Sequence, residues 1–225
     1  MKMSINIAID GPAGAGKSTI ARRIAKELSF IYVDTGAMYR AMAIHLLRMG
    51  TPMEDQAAIE ANCQSAEISI AYEQGEQQVL LGGENVTALL RTEEVGNMAS
   101  VSSANPVVRE KLLNLQRNLA ASQNVVMDGR DIGTTVLPDA DVKIYLTASV
   151  HTRALRRYHE LEEKGEICDL AVIEKDISDR DYRDMHREIS PLRQADDAVL
   201  VDSSAMNIEE VVKTILGIYQ EKKGL

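Results

Sequence analysis

A glycine-rich loop directly after an apolar run constrains this chain more than any other feature. The run Ile5–Ile9 leads into DGPAGAGKS at positions 10–18, and an apolar i, i+4, i+8 repeat begins at Ile20. The pattern G-x-x-x-x-G-K-S between a strand and a helix predicts a phosphate-binding P-loop. Its glycines let backbone N–H groups turn towards phosphate oxygens, and the positive end of the following helix faces the same anion. We therefore predict that Lys17 reaches the β- and γ-phosphates of a nucleotide and that the Ser18 hydroxyl ligates Mg²⁺.

Apolar runs that alternate with helical patterns predict the rest of the fold. Near-continuous apolar runs indicate strands that are buried on both faces, as in a parallel sheet. Strands that alternate with helices indicate βαβ units with helices on both sides of the sheet. The four further strands predicted in this way are Phe30–Val33, Val125–Met127, Val142–Leu146 and Val199–Val201.

One segment breaks this rhythm. Between Ala66 and Thr87 the apolar residues alternate with period two, and turn signals occur at Gly75 and at Gly82-Gly83. This pattern predicts a small antiparallel insertion that is separate from the main sheet.

Composition excludes several classes of protein. The formal net charge of −9 argues against a binder of nucleic acid polymers, which needs a basic surface. The two cysteines have no C-x-x-C spacing, and the four histidines have no metal-binding spacing. No charged-then-apolar leader and no apolar run of about 18 residues occurs, so we expect a cytoplasmic protein without a membrane span. The ten methionines are expected to fill gaps in a core that has no Trp and one Phe.

Charged residues elsewhere in the chain have two interpretations each. Asp128 ends an apolar strand and is either a Walker-B-like residue that holds a water on Mg²⁺ or a plain strand-terminal carboxylate. Two arginine sets each fall on one helical face, and each is either a salt-bridged surface or a clamp for a transferred phosphoryl group. These sets are Arg153, Arg156 and Arg157, and Arg180, Asp184 and Arg187.

Four motifs in order give the chain a family resemblance. They are DGPAGAGKS at 10–18, DTGAMYR at 34–40, DGRDIGT at 128–134 and RDYRDMHR at 180–187 with Pro191-Leu192 after it. Together they resemble bacterial cytidylate kinases over nearly the whole chain. The resemblance implies one P-loop kinase domain over 1–225, with a five-stranded parallel sheet flanked by helices. It also implies a nucleoside-monophosphate-binding region at 36–110 with a β-rich insertion at about 64–92, and a helical lid at 149–187.

The resemblance also implies substrates and site residues. The substrates would be ATP, with Mg²⁺, and CMP or dCMP. Catalysis would rest on Lys17, Arg130, Arg156, Arg157 and Arg187, and Arg153 would be a further, less well matched lid arginine. ATP would be bound by Gly11, Pro12, Ala13, Gly14, Ala15, Gly16, Lys17, Ser18, Thr19, Arg156 and Arg157. CMP would be bound by Thr35, Tyr39, Arg40, Ser100, Arg109, Arg130, Asp131, Arg180, Asp184 and Arg187.

Within this set, the chemistry of cytosine makes the predicted base contacts sensible. Cytosine presents an amino donor at N4 and acceptors at N3 and O2. A carboxylate such as Asp131 accepts from N4, while Arg109 donates towards N3 or O2. A loop carboxylate paired with Arg130 is the alternative for Asp131, and the two roles are compatible.

Two other functions remain open at this point. Another P-loop kinase would keep the loop and the arginines but use a different acceptor. A nucleotide-binding regulator would bind ATP tightly and would show no turnover with any acceptor. A monomer is the default expectation, because no apolar surface stripe is left over.

Overall fold

The central sheet has five strands, and a second sheet has three. In this computed structural model, which describes Ser4–Gly224, the strands are β1 (Asn6–Asp10), β2 (Ile31–Asp34), β3 (Ile68–Glu73), β4 (Glu76–Leu81), β5 (Glu84–Asn85), β6 (Val125–Gly129), β7 (Val142–Thr147) and β8 (Val199–Asp202). The central sheet has the order β2-β6-β1-β7-β8, and the smaller sheet has the order β3-β4-β5. The pairings of β1 with β7 and of β7 with β8 are parallel, whereas β3-β4 and β4-β5 are antiparallel. The predicted five-stranded parallel sheet and the antiparallel insertion are both confirmed.

The described part of the chain, Ser4–Gly224, also contains eight α-helices, and local sequence explains where most of them begin. They are α1 (Lys17–Leu28), α2 (Thr35–Arg48), α3 (Gln56–Cys63), α4 (Glu93–Ser102), α5 (Pro106–Ser122), α6 (Val150–Glu163), α7 (Leu170–His186) and α8 (Ile208–Lys223). In all but α1, an Asp, Asn, Ser or Thr side chain at the N-cap accepts a backbone N–H of the first turn. At α8 the cap is a full capping box between Asn207 and Glu210.

The chain divides into two compact units, which we describe one at a time. The first holds Ile31–Val125 together with Ser4. In it, helix α2 packs against α4 and against strand β4. Met38, Met42 and Met98 are fully buried there, which agrees with the expected gap-filling role of methionine.

The second unit holds Ile5–Phe30 and the chain from Val126 onward. Its β1 residue Ile7 pairs with Val142 of β7, and Ile144 of β7 pairs with Val199 of β8. Helix α8 lies against α1, and an edge-to-face contact between the Phe30 and Tyr219 rings supports that packing. Helices α6 and α7 pack through a small apolar cluster of Ala154, Ile173 and Ile177.

Three further findings concern expectations from the sequence. Helix α7 ends at His186, so Arg187 lies in extended backbone at the C-cap and does not continue the face of Arg180 and Asp184. Among the described residues, no helix is long and apolar enough to cross a membrane. The described residues also contain no group of three or more His, Cys, Asp or Glu side chains that could hold a metal ion.

Candidate active site

The glycine-rich loop has the backbone geometry that its sequence predicts. It lies between β1 and α1, and Gly11, Gly14 and Gly16 have φ of 151°, 75° and 85°. At Gly11 a Cβ atom would lie 1.9 Å from the carbonyl oxygen of Leu146, so the loop needs glycine at this position for space as well as for conformation. Gly16 is the N-cap of α1 and has no side chain to offer the first turn. The N–H groups at the start of α1 are therefore suited to hold an anion.

The Lys17 side chain lies against this loop. Only 6% of the residue is exposed, and its Nζ donates a 2.7 Å hydrogen bond to the carbonyl oxygen of Pro12. Burial lowers the pKa of Lys17 well below the ordinary value, and the charge of Arg130 lowers it further. The carboxylates of Asp128, Asp10 and Asp184 act in the opposite direction. The ammonium group thus lies among charges of both signs beside the loop.

The two residues predicted to serve a metal ion are in direct contact. The Ser18 hydroxyl donates a 2.9 Å hydrogen bond to the Asp128 carboxylate. Asp128 lies near the end of β6 and is buried, whereas Ser18 lies in the first turn of α1. A hydroxyl and a carboxylate oxygen are donors that Mg²⁺ prefers, so the residues present fit this ion.

Residues of the second unit that the sequence predicts for the acceptor side form two ion pairs. Arg130 Nε lies 2.8 Å from the Asp184 carboxylate, and Arg187 lies 3.4 Å from the Asp131 carboxylate. Burial alone would raise the pKa of Asp184, but the charge and hydrogen bond of Arg130, with Arg180 and Arg187, hold it below the ordinary value. The sequence left pairing with Arg130 open as an alternative for Asp131, and the structure gives Asp131 an ion pair with Arg187. The result is a partly buried cluster of arginines and carboxylates that is suited to a phosphorylated ligand.

The first unit holds the other acceptor-side residues. The Arg109 guanidinium lies 5.6 Å from the centre of the Tyr39 ring and donates a 3.2 Å hydrogen bond to the carbonyl oxygen of Ser103. Thr35 begins α2, and Arg40 on the same helix lies 3.9 Å from the Asp34 carboxylate. Ser100 lies on α4, and its carbonyl oxygen accepts from the Ser103 hydroxyl. The structure therefore brings Tyr39 and Arg109 together on neighbouring helices of this unit.

The three arginines of α6 have three different environments, although their spacing predicts one shared face. Arg153 is buried and donates to the carbonyl oxygens of Ala13 and Ala148. Arg156 donates a 2.8 Å hydrogen bond to the carbonyl oxygen of Ser203. Arg157 pairs with Glu160, and its side chain is 47% exposed. Arg153 therefore differs from the other two arginines in having a side chain that the protein encloses.

Sequence reasoning assigned no role to Asp10, which the structure places at the centre of the second unit. Its two carboxylate oxygens accept the backbone N–H groups of Ile132 and Gly133, at 2.8 and 2.7 Å. Burial raises the pKa of Asp10 to about 6, the two backbone hydrogen bonds oppose the rise, and nearby Asp131 adds to it. In the sequence, this buried carboxylate is indicated by an acidic residue between an apolar strand and the first glycine of the loop.

Comparison with known proteins adds a family to this geometry. The sequence profile described as "Cytidylate kinase" matches residues 7–221. A protein of Ligilactobacillus salivarius named "Cytidylate kinase" is 49% identical over 222 residues, which cover 99% of both chains. Proteins with the same name from Desulfitobacterium hafniense and a Geobacillus species are 48% and 46% identical, and the alignments cover 99% and 100% of this chain and 95% and 100% of those relatives. The chain belongs to the cytidylate kinase family.

Proposed function

We propose that this protein transfers the γ-phosphoryl group of ATP to CMP or dCMP, which gives ADP and CDP or dCDP. The observation that carries the proposal is the glycine loop with Lys17 against it and with Ser18 bonded to Asp128. Relatives that are 46–49% identical along their whole length are named for the same activity. In this role the enzyme belongs to pyrimidine nucleotide metabolism, and we expect it to act as a cytoplasmic monomer.

On the ATP side, the loop and α1 are proposed to bind the phosphates. Backbone N–H groups of residues 11–16 and the first turn of α1, including Thr19, would surround the phosphate oxygens. Lys17 would neutralise charge on the β- and γ-phosphates, and Arg156 and Arg157 would add positive charge from α6. Ser18 and Asp128 would hold Mg²⁺, directly and through water respectively, and the ion would supply further neutralisation of phosphate charge.

On the acceptor side, we propose separate roles for the phosphate, the ribose and the base. Arg40, Arg130 and Arg187 would hold the CMP phosphate, and Arg180 with Asp184 would hold the ribose. Ser100, Arg109 and Asp131 would contact the cytosine, with Thr35 and Tyr39 completing the site. From the family resemblance we also assign 36–110 to nucleoside-monophosphate binding and 149–187 to the lid and acceptor-clamp helices.

The proposed base contacts explain why cytosine would be chosen over uracil. Asp131 accepts from the N4 amino group, and Arg109 donates towards N3 or O2. In uracil, O4 would face the carboxylate and N3–H would face the guanidinium. Each buried polar group left unpaired costs about 1–3 kcal/mol, so UMP should be poorer by a factor of about ten to several thousand.

The proposed mechanism relies on alignment and charge neutralisation. An oxygen of the CMP phosphate attacks the γ-phosphorus in line with the departing ADP oxygen. Because that attacking oxygen is already anionic at neutral pH, the reaction needs no strong general base. Lys17 and the arginines stabilise the charge that develops on the transferred group. Closure of the proposed lid would exclude water, which is the competing acceptor.

An ADP-release assay with Mg·ATP and one acceptor at a time tests this proposal. The acceptors are CMP, dCMP, UMP, AMP, GMP and shikimate, and a reaction without acceptor gives the background. We expect fast turnover with CMP and dCMP and little with the others. Turnover with another acceptor alone would assign the protein to a different kinase activity, and tight ATP binding without turnover would favour a regulator.

A further inference from the structure

One residue of the glycine loop, Ala13, is held at both of its backbone polar groups by a buried ion pair. The backbone N–H of Ala13 donates to the Asp181 carboxylate at 3.3 Å, and the carbonyl oxygen of Ala13 accepts from Arg153 Nη1 at 2.8 Å. The other terminal nitrogen of Arg153 lies 2.7 Å from the second carboxylate oxygen of Asp181. The two charged side chains and the Ala13 backbone thus form a closed ring of contacts.

The remaining contacts of Arg153 make this ring rigid. Its Nε donates a 2.9 Å hydrogen bond to the carbonyl oxygen of Ala148, so all three guanidinium nitrogens have a partner. A Cβ atom on Gly14 would lie 3.3 Å from the Arg153 Cβ, so the side chain passes close under the loop. Arg153 and Asp181 are 4% and 6% exposed. A planar, fully bonded guanidinium in such a place fixes orientation better than a flexible ammonium would.

A buried ion pair of this kind needs an explanation other than stability. Removing two charges from water costs several kcal/mol per ion by the general rule, and well-packed apolar residues often serve stability equally well. Here both members also bond to the backbone of one loop residue, one to the peptide group before Ala13 and one to the peptide group after it. The orientation of these two peptide groups determines where the neighbouring backbone N–H groups aim. The pair is therefore placed to control the shape of the loop.

We infer that Arg153 and Asp181 are positioning residues that hold the Ala13 backbone, and with it the phosphate loop, in the conformation that binds the ATP phosphates. Arg153 acts through the loop, because one of its nitrogens bonds to Ala13 and the other two bond to Ala148 and Asp181, in contrast to the lid role that the family resemblance implies. Because Asp181 lies on α7, the pair also ties the loop to the helices that carry Arg156, Arg157 and Arg180. This inference rests on the proposed use of the loop for ATP.

The inference predicts an effect on ATP that is separate from CMP and from folding. The double variant R153M/D181L replaces the ion pair by apolar side chains of similar size, which a buried site tolerates. The single variants D181A and R153K each remove part of the ring, whereas Asp181→Asn keeps an acceptor oxygen for the Ala13 N–H. The exposed Lys175–Asp179 pair on α7 provides the matched control, as K175A/D179A.

Isothermal titration with Mg·ATP in the absence of CMP, thermal unfolding, and the KM values for ATP and CMP test the inference together. We expect R153M/D181L, D181A and R153K to unfold cooperatively and to bind Mg·ATP about tenfold or more weakly, with the KM for CMP changed less than threefold. D181N should recover most of the affinity, and K175A/D179A should match the unmodified protein.

Two results obtained with the variants would overturn the inference. One is ATP affinity within twofold of the unmodified protein in folded R153M/D181L or, if that variant does not fold, in D181A and R153K. The other is an equal loss for ATP and CMP, which indicates general damage to the fold. Absence of Mg·ATP binding by the unmodified protein would also overturn it. An unmodified protein that binds Mg·ATP but does not phosphorylate CMP would contradict the proposed function and leave the binding test of the pair intact.

Discussion

The Ser18 hydroxyl donates a 2.9 Å hydrogen bond to the Asp128 carboxylate, which joins the first turn of α1 to strand β6. The contact spans 110 positions of the chain and unites a residue of the loop motif with a carboxylate whose role was ambiguous in the sequence. Hydroxyl and carboxylate oxygens are both ligands that Mg²⁺ accepts, so this pair is the basis of the proposed metal site.

The first prediction concerns this pair. Replacing Asp128 by Ala should raise the Mg²⁺ concentration for half-maximal rate about tenfold, because the carboxylate that would order the waters of the ion is lost. The measurement is the initial rate against Mg²⁺ at saturating ATP and CMP. The exposed Glu27→Gln variant on α1 is the control. An unchanged Mg²⁺ dependence in D128A would remove Asp128 from the metal site.

The second prediction concerns Lys17. Replacing it by Ala should lower kcat by about a hundredfold or more while the protein stays folded, because the charge on the transferred phosphoryl group loses its nearest cation. Steady-state kinetics and circular dichroism measure the two effects. The exposed Lys26→Ala variant on the same helix should retain its activity. Near-normal turnover in K17A would refute the role given to the loop.

The third prediction concerns the choice of base. Replacing Asp131 by Asn should reduce the ratio of kcat/KM for CMP to that for UMP by about tenfold or more, because an amide can donate to O4 of uracil. Loss of the ion pair with Arg187 should also slow CMP turnover. The measurement is kcat/KM for each acceptor at saturating ATP. The exposed Asp139→Asn variant should keep the original ratio, and an unaltered ratio in D131N would exclude Asp131 from base recognition.

The fourth prediction concerns pH and Asp10. Its pKa is raised by burial from 3.8 to about 6, so the folded state retains a proton that the unfolded state has already lost. Asp10 therefore adds fully to the free energy of unfolding below pH 3.8, and this contribution is lost as the pH rises to about 6. Such a difference in pKa corresponds to about 3 kcal/mol.

Urea unfolding at several pH values between 4 and 7 checks this direction. The free energy of unfolding of the unmodified protein, minus that of Asp10→Asn, should fall by about 2 kcal/mol across the range, because part of the contribution is already lost at pH 4. The subtraction cancels the carboxylates that titrate in both proteins. A constant difference for D10N would contradict the raised pKa.

The fifth prediction concerns Gly11. Replacing it by Ala should lower the free energy of unfolding by about 2–4 kcal/mol, because the new Cβ would overlap the Leu146 carbonyl oxygen and the backbone would have to shift. Denaturant unfolding measures this effect. Gly217→Ala is the matched control, since no atom beyond its chain neighbours and the adjacent backbone of α8 lies within 4 Å of its Cβ position. That control should stabilise the protein by up to about 1 kcal/mol, and equal effects of the two variants would contradict the steric explanation.

Local sequence determined the framework of this protein. The strand, glycine loop and helix around Lys17, the remaining strands of the sheet and the β3–β5 insertion were predictable. Each depends on the periodicity of apolar residues or on glycine conformation within about 20 neighbouring positions. The family followed from motifs that are themselves local.

Tertiary structure decided which charged residues meet. Asp10 bonds to Ile132 and Gly133, and Ala13 bonds to Asp181, across separations of 122 to 168 positions. The arginines at 153, 156 and 157 have the spacing of one helical face. In the structure, however, Arg153 is buried and bonds to the loop, whereas Arg157 is half-exposed. Spacing specifies only the direction in which a side chain leaves its own helix. Its partners depend on the elements that the fold packs around it, and a single sequence carries no local signal for those contacts.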